Sequence, residues 1–159
     1  LVIPQLVYHD VVNVTLLGTN LWFSEKLLKE AGEYVQGAVL PSGFYPASQS
    51  PRVQTFVTAF EAVYGRAPGF IEAIAYDSAR IMLNAMLDPN VWLRAGIRHT
   101  LMKAVPVEGV TGKVTFDGTG EPVKDLVLLQ IEGNGFIEID PSRAPIKGLS
   151  DDIPPAPLP

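Results

Sequence analysis

No cysteine occurs among the 159 residues, which excludes disulfides, thiolate nucleophiles and cysteine metal sites and leaves the redox compartment open. Basic residues are scarce: 12 Lys and Arg stand against 17 Asp and Glu, a formal net charge of -5. A chain of that sign is poorly equipped to displace counterions from a phosphate backbone or to settle on anionic lipid, so nucleic acid is not an expected partner. No apolar run reaches the roughly 18–20 residues needed to cross a bilayer. The opening Leu1–Leu6 lacks the basic lead of a secretory signal.

Groups that could converge for catalysis are equally sparse. His9 and His99 lie in unrelated segments with no serine or acid at a spacing that would make a base and nucleophile, so both read as structural or solvated residues. Gly118-Thr119-Gly120 resembles the start of a dinucleotide loop, but Glu121-Pro122 follows where a helix should open and the third glycine is missing, which makes it a turn. Asp117, Glu121, Asp125 and Asp151-Asp152 lack calcium-loop spacing and read as turn and surface acids. Asn13-Val14-Thr15 matches a glycosylation acceptor, a pattern too common to carry weight. No enzyme, metal or cofactor is expected from these residues.

What the chain does have is apolar substance. Hydrophobic residues make up 47%, enough for one sizeable core. Val14–Leu17 and Gly37–Leu40 are short apolar runs closed by Gly18 and Pro41, the pattern of buried strands in a parallel sheet. Ser24 caps a helix that places Leu27 and Leu28 inward and ends near Gly32. Val53, Phe56, Val57, Phe60, Val63 and Tyr64 form a helical stripe that stops at Gly65 and Pro68. Residues 70–86 are apolar almost all round, which predicts a helix covered on most sides. A further helix is expected over 89–104, with Leu93, Ile97, Leu101 and Ala104 on one face.

From Val110 the period changes to two, and Gly133-Asn134 or Asn134-Gly135 supplies a hairpin turn. The last residues, 141–159, concentrate proline and acid and form a linker or free terminus. The abrupt apolar start suggests that an N-terminal portion precedes it.

The order of these segments from about Leu1 to Ile139 resembles the C-terminal part of type I periplasmic binding proteins of the leucine/isoleucine/valine class. The matching residues are Pro4-Gln5-Leu6, Val14–Trp22, Tyr34-Val35-Gln36-Gly37-Ala38, Phe56 to Gly65, Ala75-Tyr76-Asp77-Ser78-Ala79 and Gly109-Val110-Thr111-Gly112, followed by Phe116-Asp117 and Gly120. The resemblance implies an α/β fold: the C-terminal portion of a two-lobed binding protein, with parallel α/β layers and a C-terminal antiparallel hairpin. Residues 1–140 would be the partial domain, divided into lobe elements 1–68, hinge-side helices 69–105 and closing strands 106–140, with 141–159 as tail. A periplasmic or other extracytoplasmic location follows from the same likeness.

The implied function is binding of a small solute, amino-acid-like or a small carboxylate, in an interlobe cleft for an ABC uptake transporter. The implied partners are that solute, a membrane permease, and a missing N-terminal half or a second copy. The alternative on the same fold is a regulatory module, such as a lipoprotein activator that docks on a cell-wall synthase. Ligands of open α/β sheets sit beyond the carboxyl ends of strands, which singles out Thr19, Asn20 and Trp22 after the first strand and Phe44, within Ser42-Gly43-Phe44-Tyr45, after the second. Family members that bind amino acids carry an acid near the Asn20 position to pair with the ammonium. Here it is an amide, and Glu72 either replaces the lost charge or serves only as a first-turn helix acid. Trp22 either stacks a ligand or packs between lobes. Tyr76 matches the helix motif, as a ligand contact or a residue orienting the hinge.

Overall fold

The computed structural model describes residues 5, 8, 9, 14–87, 89, 91, 93–103 and 106–140. Ser24 opens α1 (Glu25–Ala31): its hydroxyl accepts the Leu27 amide at 3.2 Å and satisfies one of the donors a helix start leaves unpaired. A 3-10 turn over Gly32–Val35 leads into β1 (Val39–Ser42). Pro51 begins α2 (Pro51–Tyr64), at a position where its missing N–H costs nothing. Then come α3 (Phe70–Met86) and α4 (Arg94–Lys103). The strands β2 (Val107–Gly109), β3 (Gly112–Phe116), β4 (Pro122–Lys124), β5 (Val127–Glu132) and β6 (Gly135–Ile139) complete the order.

Two three-stranded antiparallel sheets result, β1-β5-β6 and β2-β3-β4. In the first, Leu40 faces Leu129 and Gln130 faces Ile137; in the second, Val114 faces Val107 on one side and Lys124 on the other. The strands after residue 106 therefore split, and β5–β6 join β1 across about ninety residues of sequence, as in the Val39–Gln130 pair. Gly133, at φ 57, supplies the left-handed backbone of the β5–β6 turn, so the loop is Gly133-Asn134. Gln36 clamps that turn: its side chain donates to the Gly133 carbonyl at 2.9 Å and accepts the Gly133 amide at 2.8 Å.

The expected parallel strands need correcting. Val14–Leu17 forms only a single parallel bridge, Leu17 to Val39, and Leu17 is 68% exposed. The strand expected at Gly37–Leu40 runs instead over Val39–Ser42, pairs antiparallel with β5 and buries alternate residues. An apolar run of four fits a two-sided strand and a half-buried one alike, because too few positions exist for the period to show. The tail 141–159, Pro4, Leu6 and Ala104 lie outside the described residues.

One core lies between α1 and the first sheet, built on Val35, Leu40, Leu129 and Ile131 with Trp22, Phe23 and Phe136 packed against it. The second joins Phe44, Val53, Phe56, Ala73 and Val110, and so ties the end of β1 to α2, α3 and the β2–β3 turn. The stripe on α2 is buried only at its start; Val63 and Tyr64 are exposed. Nor is α3 covered on most sides, since its buried residues are Ala73, Asp77 and Ala85. Apolar composition predicted the helix but not its cover.

Asp77 fastens α3 to the β2–β3 turn. Its oxygens accept the amides of Val110 at 2.9 Å and Thr111 at 2.8 Å, and the Thr111 hydroxyl as well. Gly109 passes so close that a β-carbon there would collide with the Asp77 carboxylate. Replacing Asp77 by Ala leaves three buried donors without an acceptor. Urea unfolding is expected to show a loss of about 2–4 kcal/mol for Asp77→Ala; a loss no larger than that of an exposed alanine substitution would contradict the fastening role.

Candidate functional site

Beyond the end of β1 the chain turns sharply at Ser42-Gly43-Phe44. The Ser42 hydroxyl donates to the Phe44 carbonyl at 2.7 Å and accepts the Phe44 amide at 3.4 Å, which holds the turn without help from its neighbours. Phe44 is buried and meets Phe56 edge-on, ring centres 6.0 Å apart. The first turn of α3 closes on the same point: the Phe70 ring lies against Gly43, where a β-carbon could not be accommodated. From the other side comes Asn20, exposed at the head of a 3-10 turn over Asn20–Trp22.

Together these segments enclose a cavity of about 320 Å³ lined by Asn20, Phe23, Ser42, Gly43, Phe44, Pro46, Pro68, Gly69 and Phe70. No charged side chain is among them. The lining is aromatic and prolyl, with the Asn20 amide and the Ser42 hydroxyl as its polar side chains. Such a site suits a flat or branched apolar body with a polar end.

Of the six residues singled out from sequence, Asn20 and Phe44 line this cavity. Thr19 is exposed just before Asn20. Trp22 packs on the first core, with its ring against Gly18. Tyr76 lies further along α3, stacked 4.6 Å from Phe56 with the Arg80 guanidinium 5.5 Å from its ring centre. Glu72 adjoins the lining through Gly69 but is occupied: it accepts from Arg66 at 2.6 Å and from the Gly69 amide at 3.0 Å. The second contact is the half of a capping box that a glycine cap permits. Phe23, Pro46, Pro68, Gly69 and Phe70 were not singled out. Their signal was the Pro68-Gly69-Phe70 helix start, which points a helix opening at the strand end.

The Arg66 hydrogen bond, the helix's own amide and the Gly69 amide hold the Glu72 carboxyl below the usual glutamate range. Asp117 is lowered too, first by the Thr119 hydroxyl and then by amides of its own turn, which accounts for the turn at Gly118-Thr119-Gly120. Among the described residues no three His, Cys, Asp or Glu gather as a metal site, and no helix is long and apolar enough to cross a membrane. A second cavity, about 400 Å³, lies between α3, α4 and the second sheet. There burial pushes the Lys124 ammonium down while Asp77 opposes the shift.

Residues 8–135 match the periplasmic binding protein family. The chain belongs to that family. A putative branched-chain amino acid ABC transporter protein from Rhodospirillum rubrum is 31% identical with a TM-score of 0.77, over 84% of this chain and 39% of that one. An ABC transporter substrate-binding protein from Desulfitobacterium hafniense, solved with Leu, is 27% identical, TM-score 0.59, over 86% and 39%. A solute-binding protein from R. palustris in complex with benzoate, 16% identical with a TM-score of 0.58 over 87% and 38%, shares the fold. No curated protein matches. The chain thus spans about two fifths of the length of these relatives and carries a partial type I periplasmic-binding-protein fold. The family's members are solute-binding components of ABC transport systems.

Glu72 gives this site a pH signature. Its folded carboxyl titrates below the unfolded one, so the pairing stabilises at pH above the unfolded value and is lost as pH falls through the folded one. The melting temperature of Glu72→Gln should lie below that of the parent at neutral pH, and the gap should close as pH falls through and below the usual glutamate range. A constant gap across that range would contradict the assignment.

Proposed function

We propose that this periplasmic binding protein chain forms one wall of a solute cleft in the substrate-binding component of an ABC uptake system. The solute is a small carboxylic acid with a branched or aromatic body. The observation that carries the reading is the uncharged, aromatic cavity where Ser42-Gly43-Phe44, Gly69-Phe70 and Asn20 converge. In this reading Phe44 and Phe70 hold the apolar body, and the Asn20 amide, donor and acceptor at once, orients the polar end. Thr19, Trp22 and Tyr76 support the site from outside its lining. Glu72 meets an ammonium only by giving up Arg66, which favours acids over amino acids.

The protein acts by binding, without covalent chemistry, outside the cytoplasmic membrane, and it hands solute to a permease by closing around it. The Leu bound by the D. hafniense relative is compatible with the size of the cavity. Calorimetric titration with leucine and with benzoate checks this. Benzoate is expected to bind with a Kd of about 1–100 µM and more tightly than leucine, and Phe70→Ala to weaken it about tenfold or more, roughly 1.4 kcal/mol. A folded chain that binds neither would contradict the solute reading and favour the regulatory, protein-docking alternative.

A further inference from the structure

Helix α3 and the second sheet face one another across a gap that their side chains do not fill. On α3, Ile74, Ser78 and Ile81 stand at i, i+4 and i+7, one stripe of the helix. Opposite them, the register of β3 and β4 pairs Val114 with Lys124 and Phe116 with Pro122, and alternation along each strand puts all four on one face of the sheet. Leu101 of α4 closes a third side. The space between them is the cavity of about 400 Å³, large enough for a small ligand. It shares no lining residue with the cavity at Asn20 and Phe70, so its occupancy does not depend on the solute proposed above.

The walls are largely aliphatic, with one cation. Asp77 and Thr111 also border the space, but the Asp77 oxygens are taken by Val110 and Thr111, and the Thr111 hydroxyl is spent on Asp77. Lys124 has no such partner. Its half-buried ammonium lies 5.9 Å from the centre of the Phe70 ring, yet among the described residues it donates no hydrogen bond and joins no ion pair. Burial pushes it toward the neutral form against the pull of Asp77. Ordered water needs about two to four polar partners per molecule, which such walls do not offer. An ammonium with three donors and no acceptor, at the edge of an apolar space, instead suits an anion whose own body is apolar. We infer that this cavity is a second binding site, for a straight-chain aliphatic carboxylate whose carboxylate meets Lys124 and whose chain lies between Ile74, Ile81, Leu101 and Val114. A flexible chain adapts to walls of branched side chains, and the unbranched Met82 beside them adapts in turn.

Calorimetric titration of the full chain with sodium octanoate, and with octanol as its uncharged counterpart, tests this. Octanoate is expected to bind with a Kd of roughly 10–500 µM, more tightly than octanol, and to shift the amide resonances of Thr111, Val114 and Phe116. Lys124→Met keeps the length of the side chain and removes its charge. It is expected to weaken octanoate about tenfold, the scale of a lost hydrogen bond to a charged group, and to change octanol less than about twofold. If Lys124→Met does not fold, the amide shifts in the parent decide. No octanoate binding by the folded chain, as when a protein segment fills the space, would overturn the inference. So would an octanoate affinity unchanged in Lys124→Met, an equal loss of both ligands, or shifts that bypass Thr111 and Val114.

Discussion

Asp77 stands on α3 with its carboxylate accepting two amides and one hydroxyl from Val110 and Thr111, and the seating of the second sheet on α3 follows from that contact. The junction of α3 with that sheet has little core of its own, since Val110 is the one described residue of the β2–β3 region that enters the second cluster. A helix and a small sheet that share so little apolar surface need a directional tie. The buried carboxylate supplies it, and its three donors offset the cost of removing a charge from water. Lys124, half-buried nearby, adds an attraction that opposes its own desolvation.

The same helix serves the candidate cleft at its other end. Ala73 sits in the second core while Phe70, three residues earlier, closes on Gly43. The position of Phe70 therefore follows from the seating of α3 through Ala73 and Asp77. Asn20 reaches the cavity from the 3-10 turn whose Trp22, with Phe23 after it, packs on the first core.

Much of this was legible in the sequence, for reasons particular to each element. The cap at Ser24, the α2 stop at Gly65 and the turn at Gly133 are local chemistry, and the structure reproduces them. The pairing of β1 with β5, some ninety residues distant, left no local trace, and so the sheet was expected to be parallel. For the candidate cavity, the rule that ligands gather at strand ends picked out two of its lining residues, Asn20 and Phe44. It passed over Phe70, whose place in the lining depends on where α3 starts in space, and it could not reveal that Glu72 is committed to Arg66. Trp22 and Tyr76 carried the right chemistry for stacking, but the tertiary packing uses their rings elsewhere.

The claim on which the account turns is that the junction of β1 and α3 is the solute site. Amide-resolved NMR of the chain during titration with benzoate tests it most directly. The account predicts that the shifts concentrate at Asn20, Gly43, Phe44, Gly69 and Phe70. Shifts confined to Thr111, Val114 and Lys124 around the second cavity, or spread evenly over the surface, would contradict it.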